Sequence, residues 1–150
     1  MSDALRVASI GDLADVQAIV KAAYTPYIAR IGREPGPMLD DYDALIKQGR
    51  VHVMDCDGSV KGMLVLVPEG KTMLLANIAV LPAVQGMGLG RRLMEFAEET
   101  ARRAGCTAIR LYTHVMMTEN VALYARAGYV ETHRGVERGL HRVYMTKLLG

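Results

Sequence analysis

Apolar and polar positions change period several times along the chain, and each change marks a predicted element. Residues 5–8 form a short strand candidate, and Ser9-Ile10-Gly11-Asp12 then has the spacing of a capping box, so a helix should begin there. Leu13, Val16, Ile19, Val20 and Ala23 recur at helical spacing and give that helix one buried stripe, with Asp12, Asp15, Gln17 and Lys21 outside. The pattern fades near Tyr24. In residues 25–38, Pro26, Pro35 and Pro37 with Gly32 and Gly36 predict an irregular connection, with a turn or two of helix over residues 27–31. Residues 40–47 read as a short helix ended by Gly49.

Beyond Gly49 the period becomes that of strands. Residues 51–56 and 60–67 are β-rich runs joined by Asp57-Gly58, a hairpin signal because a tight reversal needs residues that tolerate positive φ. Pro68-Glu69-Gly70-Lys71 predicts the next turn, and residues 73–80 a third apolar strand leading to Leu81-Pro82 and a glycine-rich loop. The helix after that loop is the clearest element. Leu89, Leu93, Phe96, Ala97, Ala101 and Ala104 share one face, Glu98 with Arg102 and Glu99 with Arg103 pair outside, and Gly105 stops it. A strand over 108–113, a helix over 119–127 and strands over 129–132 and 141–148 complete the pattern. There are no repeats or low-complexity tracts.

At 150 residues the chain has the length of one domain able to bury its own core, which makes residues 1–150 a single unit. A net charge of +2, with Lys and Arg dispersed, points away from nucleic-acid and membrane surfaces. Cys56 and Cys106 stand far apart with no second Cys or His at ligand spacing, so neither a zinc site nor a disulfide framework is expected. The first residues lack an apolar signal core, and the longest apolar run, 63–67, is too short to span a bilayer; a cytoplasmic protein with reduced thiols is the expectation.

The candidate chemistry centres on Gln85-Gly86-Met87-Gly88-Leu89-Gly90-Arg91, placed between a strand and a helix. That arrangement gathers free backbone N–H groups and the positive end of a helix dipole around one point, as a phosphate or pyrophosphate requires. A dinucleotide fingerprint would need glycine where the chain has Arg91, and a P-loop would need Gly-Lys-Ser/Thr where it has Gly90-Arg91-Arg92. The loop alone is equally compatible with a plain glycine-rich turn.

Two ordered motifs decide between these readings. Gln85, Gly88 and Gly90, after a strand ending Asn77-Ile78-Ala79-Val80-Leu81-Pro82, resemble the central signature of the GNAT superfamily of N-acetyltransferases. The run from Asn120 through Tyr124 to Gly128-Tyr129 resembles its second motif, an Asn and a Tyr four apart on a helix. The resemblance spans nearly the whole chain. It implies an α/β fold with a mixed, mostly antiparallel sheet of six to seven strands flanked by helices, the fourth and fifth strands splayed at the glycine loop. It also implies acetyl-CoA as co-substrate, no metal, and a primary amine of a small molecule or peptide as acceptor. The pantetheine arm would lie along backbone groups of Ile78 and Val80, and the pyrophosphate would meet N–H groups of Gly86, Met87, Gly88, Leu89, Gly90 and Arg91, with Gln85 at the rim. The Val80 N–H becomes the oxyanion donor. Asn120 would hold the cofactor, and Tyr124 would act as general acid toward the departing sulfur. Dimerisation is common in the family but leaves no readable signature here.

The acceptor side is less determined. Many relatives carry a Glu where this chain has Ala76, which leaves water, His114 or Glu119 to receive the amine's proton, and keeps open a catalytically weak acyl-CoA-binding or regulatory module of the same fold. Tyr24, Tyr27 and Arg33, in or beside residues 25–38, are expected to line the acceptor pocket with His114, whereas His52, His133 and His141 are read as structural or surface residues.

Overall fold

The computed structural model describes residues 3–150. Seven strands form one sheet: β1 (Asp3–Val7), β2 (Val51–Cys56), β3 (Ser59–Glu69), β4 (Thr72–Val80), β5 (Ala108–His114), β6 (Val130–Glu137) and β7 (Leu140–Leu148). Their spatial order is β1-β2-β3-β4-β5-β7-β6, and every neighbouring pair is antiparallel except β4–β5. The mixed, mostly antiparallel sheet expected from the sequence is therefore present. Helices α1 (Leu13–Ile31) and α2 (Tyr42–Lys47) pack on one face, where Val16, Ile19 and Val20 meet Val51, Val53, Met63 and Val65. Helix α3 (Leu89–Arg103) covers the other with Leu89, Leu93, Met94, Ala97 and Ala101, joined by Tyr124 from α4 (Thr118–Arg126).

The pairing of β4 positions the site. Parallel pairing with β5 runs only from Thr72↔Ala108 to Leu75↔Leu111, so the last five residues of β4 separate from β5. The cause lies on the opposite edge. Against β3 the register passes from Leu66↔Leu75 to Val65↔Asn77, leaving Ala76 as the extra residue of a β-bulge. A bulge bends its strand and increases the local twist, and here it also resets the alternation: Met73 and Leu75 face α3, whereas beyond Ala76 it is Ile78 and Val80 that face α3 while Asn77 and Ala79 turn toward α1.

Four sequence expectations need correction. Helix α1 does not fade at Tyr24 but continues through Pro26 to Ile31, ending on Gly32 (φ 86°) whose N–H reaches the Ile28 carbonyl at 2.8 Å. An internal proline costs a helix about 3 kcal/mol; the buried Tyr24 and the half-buried Tyr27 and Ile31 pack around it and outweigh that cost, and the Thr25 hydroxyl caps the Lys21 carbonyl. Pro68 and Glu69 belong to β3, not to a turn. There β3 extends beyond the start of β2 and is locally an edge, where proline is tolerated. Ala104 is exposed beyond the end of α3. Finally, β6 extends to Glu137, and all of its residues except Val136's neighbour Gly135 are solvent-exposed, which explains why no apolar alternation announced it.

Candidate active site

Leu81 returns to the sheet by donating to the Lys61 carbonyl at 2.9 Å, and a 3-10 turn over Pro82–Val84 leads into the glycine loop. Gly86 and Gly88 adopt φ of 87° and 79°, conformations that side chains rarely take, and Gly88 caps α3. Nothing lies within 4 Å of where a Cβ would stand at Gly86, Gly88 or Gly90, so the loop's concave side is open. The Arg92 N–H is the first of α3 to find a helical carbonyl, that of Gly88 at 3.2 Å. The N–H groups of Leu89, Gly90 and Arg91 are thus first-turn donors at the positive end of a fifteen-residue helix.

The splayed end of β4 presents alternate backbone groups to the gap. The Ile78 carbonyl accepts from the Tyr24 hydroxyl at 3.2 Å and the Val80 carbonyl from the Gln85 side-chain amide at 3.3 Å, both from outside the sheet. A strand residue's N–H and C=O point the same way, so the N–H groups of Ile78 and Val80 also face the gap. Gln85 is therefore a brace between the loop and β4, a role that its motif position did not reveal.

Helix α4 forms the far wall. A groove of about 570 Å³ runs between it, the loop and β4, touching Val80, Gly86, Gly88, Arg91, Asn120 and Tyr124. Burial raises the Tyr124 phenol above its ordinary pKa, so the hydroxyl stays protonated. Its ring meets Tyr129 edge-on, with centroids 6.0 Å apart. Tyr27 lines this groove rather than the opposite side, reaching Glu119 at 3.5 Å, while Arg30 pairs with the same carboxylate and donates to the Met116 carbonyl at 3.2 Å. The Arg30 hydrogen bond, first among its causes, holds the Glu119 carboxyl down to about 2, which makes it a poor proton acceptor.

Beyond the gap lies a smaller chamber, of about 40 Å³, which shares Tyr24, Ile78, Met117, Asn120 and Tyr124 with the groove. Its far wall contains Gly36, Pro37, Ala76, Tyr112, Leu140 and Arg142, and these six residues continue into an outer basin that also holds Arg33, Asp40 and Arg138. Groove, chamber and basin form one row through the splay. His114 lines the chamber; its Nδ1 accepts the Met116 N–H at 3.1 Å, and desolvation, with His141 next, lowers its pKa, so it is neutral with its proton on Nε2. Arg33 lies in the basin, with Nη1 donating to the Arg138 carbonyl at 2.9 Å.

Two features were missed from the sequence. One is a buried chain of hydrogen bonds: the Tyr24 hydroxyl donates to Asn77 Oδ1 at 2.6 Å, Asn77 Nδ2 donates to the Tyr42 hydroxyl at 2.8 Å, and Tyr42 donates to the Pro37 carbonyl. It ties α1, β4, α2 and the segment before α2 together beneath the chamber. The bulge at Ala76 turns Asn77 toward its partners, and no spacing rule foretells a bulge. The other is Arg142, stacked 4.1 Å over the Tyr112 ring centroid and paired with Glu137 at 3.2 Å. Of the histidines set aside, His52 packs edge-on against Phe96 and His133 stacks on Tyr144, 4.3 Å between centroids. No group of three or more His, Cys, Asp or Glu suited to a metal ion occurs among the described residues, and no described helix is long and apolar enough to cross a membrane.

The splayed β4–β5 pair with a glycine loop at its mouth is the arrangement the sequence resemblance implied, and the chain belongs to the acetyltransferase (GNAT) family, whose model matches residues 16–129. Among curated relatives, it is 34% identical over 70 residues to an IAA acetyltransferase of Azospirillum brasilense and 34% identical over 59 residues to an aminoalkylphosphonate N-acetyltransferase of Salmonella typhimurium. These stretches cover 47% and 39% of this chain, and 46% and 38% of the relatives, less than half of each protein. The fold is similar over 99% of both chains to that of the PaiA N-acetyltransferase of Thermoplasma acidophilum, solved in complex with coenzyme A, with a TM-score of 0.82 at 17% identity. YncA of Salmonella typhimurium, solved with its cofactor acetyl-CoA, is similar over all of this chain and 95% of its own, with a TM-score of 0.74 at 22% identity.

Proposed function

We propose that the chain is a single-domain, acetyl-CoA-dependent N-acetyltransferase that acts on a primary amine by direct attack in a ternary complex. The observation that carries this reading is the row of cavities through the splay: Tyr124 lines both the groove at the glycine loop and the chamber beyond it, so donor and acceptor can approach one point from opposite sides. The first-turn N–H groups of α3 suit a pyrophosphate, and the gap-facing N–H groups of Ile78 and Val80 suit an extended pantetheine arm. Asn120 completes the groove wall.

The chemistry follows. The free amine attacks the thioester carbonyl carbon, a C–N bond forms and the C–S bond breaks. The Val80 N–H receives the negative charge that develops on the carbonyl oxygen. The Tyr124 hydroxyl donates to the departing sulfur. Because its pKa, already above that of a thiol, is raised further by burial, it serves first as a hydrogen-bond donor, and any proton it yields is regained from water. The surplus proton of the nitrogen leaves to water, and the products are an amide and a free thiol. Neither Glu119, held by Arg30, nor His114, whose Nδ1 already accepts a hydrogen bond, is well placed to take it.

The test is incubation with acetyl-CoA and a panel of amino acids, polyamines, aminoglycosides and peptides while free thiol is followed. Acceptor-dependent thiol release supports the reading. Tight coenzyme A binding without release on any acceptor replaces it with the binding or regulatory module. We place the protein in the cytoplasm, where thiols such as Cys56 and Cys106 are expected to be reduced.

A further inference from the structure

The outer basin has a charge pattern that a general amine site does not need. Among the described residues lining it, three arginines, Arg33, Arg138 and Arg142, stand against one acid, Asp40; Glu137 pairs with Arg142 from outside. Two of the arginines, Arg142 and Arg33, are held by side-chain contacts. Arg142 has its side chain mostly buried, stacked on Tyr112 with Nη2 beside Gly36, and one hydrogen bond to Glu137 leaves most of its five donors uncommitted. Arg33 crosses to the β6–β7 turn, where its Nη1 donates to the Arg138 carbonyl and lies 2.7 Å from where a Cβ at Gly139 would stand. Arg138 sits at φ 52°, a left-handed conformation that Asn, Asp or Gly adopts more easily. The same pair of positive φ angles occurs at Asp57-Gly58, as tight hairpins require, and here it brings Arg138 to the basin wall.

Arg142 lines both basin and chamber, whereas Tyr124 lines chamber and groove. A ligand whose nitrogen lies in the chamber can therefore place a second group on Arg142 only a few bonds away. Planar guanidinium forks recognise carboxylates and phosphonates by paired, charge-assisted hydrogen bonds. A polyamine would instead bring more cations to a basin already in cationic excess.

Building on the acetyl-transfer reading, we propose that the acceptor is a small primary amine carrying a carboxylate or phosphonate a few bonds from its nitrogen, with the anion held by Arg142 and Arg138 in the basin.

The experiment compares kcat/KM for β-alanine and 2-aminoethylphosphonate with that for ethanolamine, putrescine and an amidated dialanine, in the wild-type protein, in Arg138→Asn and in Arg142→Gln. Asn suits the left-handed position, so Arg138→Asn should melt no lower than wild type, and any loss of selectivity in it is not a loss of fold. The expected result is a preference of about tenfold or more for the anionic amines, falling about tenfold in Arg142→Gln and severalfold in Arg138→Asn, mostly through KM. Equal or better turnover of the neutral or dicationic amines or of the peptide, or a selectivity unmoved by both substitutions, overturns the inference while leaving acetyl transfer standing. If no acceptor releases thiol, acetyl transfer fails and the inference is read from binding: in the coenzyme A-loaded protein, 2-aminoethylphosphonate should shift amide resonances of residues 36–40 and 138–142 while ethanolamine does not, and absence of that difference overturns it.

Discussion

The two mouths of the β4 splay are made of different material. On the groove side the ligand-facing groups are largely backbone: the first-turn N–H groups of α3, the gap-facing N–H groups of Ile78 and Val80, and two glycines at positive φ that leave the loop open. On the basin side they are long side chains from elements far apart in sequence, Arg33 after α1, Asp40 before α2, Arg138 in the β6–β7 turn and Arg142 on β7. Backbone donors are indifferent to side-chain identity and suit a donor molecule that is always the same. Side chains on loops can change without disturbing the sheet, and suit an acceptor that differs among related proteins.

The sharpest way to break this comparison is at the point where the two mouths meet. Tyr124→Phe removes a phenol that lines both groove and chamber, as Tyr24 does from α1, and whose pKa burial raises. It should lower kcat by about 10² with little change in KM for acetyl-CoA, as for loss of a group acting in the transition state. Steady-state kinetics decide it, and an unchanged kcat would remove Tyr124 from the chemistry.

Next in size is the brace beneath the chamber. Asn77→Leu removes the acceptor of Tyr24 and the donor to Tyr42 inside the protein, where Asn77 is only 4% exposed. Losing these two buried hydrogen bonds should cost about 2 kcal/mol, read as a fall in melting temperature or denaturant midpoint, although Tyr24 keeps the Ile78 carbonyl and Tyr42 the Pro37 carbonyl. If stability is unchanged, the chain of hydrogen bonds is not what holds residues 36–39 against β4.

Gly88→Ala tests the backbone side alone. A side chain at φ 79° should cost about 1–2 kcal/mol, and because the cap and the ligand-facing N–H groups are the same structure, part of that cost should appear as a KM for acetyl-CoA raised by about tenfold. KM for the amine should not follow. Parallel rises in both would mean that the two mouths are not separable.

The difference between the mouths also explains what could be read from the sequence. That Gln85, Gly86, Gly88, Gly90, Asn120 and Tyr124 line one groove was legible because the segment is contiguous: a strand, a loop and a helix start within fifteen residues, and an i, i+4 pair on one later helix. Regular periods likewise marked β2, β3, β4 and α3. Of the basin only Arg33 was anticipated, because Arg138 and Arg142 reach it through the β5–β7 and β6–β7 pairings, and the sequence carries no register. Asn77 was seen as a motif neighbour, but its direction depends on the bulge at Ala76. Tyr27 was assigned to the acceptor pocket as part of residues 25–38, read as irregular; α1 instead continues to Ile31, and the ring lies along the groove beside Glu119.

The smallest expected effect concerns the proton that the acceptor loses. His114 is the chamber's one histidine, and its pKa lies below 6.5 because of desolvation and, second, His141. A lowered pKa means that the folded protein binds fewer protons at this site than the unfolded chain. The associated stability is present above the unfolded pKa of about 6.5 and is lost as pH falls below it. Between pH 7 and 9 the ring does not titrate, and protonating Nδ1 at lower pH would displace the Met116 N–H. A rise of kcat/KM across pH 7 to 9 should therefore belong to the amine itself: it should move with the acceptor's own pKa and keep its position in His114→Ala. The same variant should flatten the melting temperature between pH 5 and 7. A limb fixed near pH 6 to 7 for every acceptor, and abolished in His114→Ala, would make His114 the base and give the acceptor mouth a chemical function in addition to its recognition of charge.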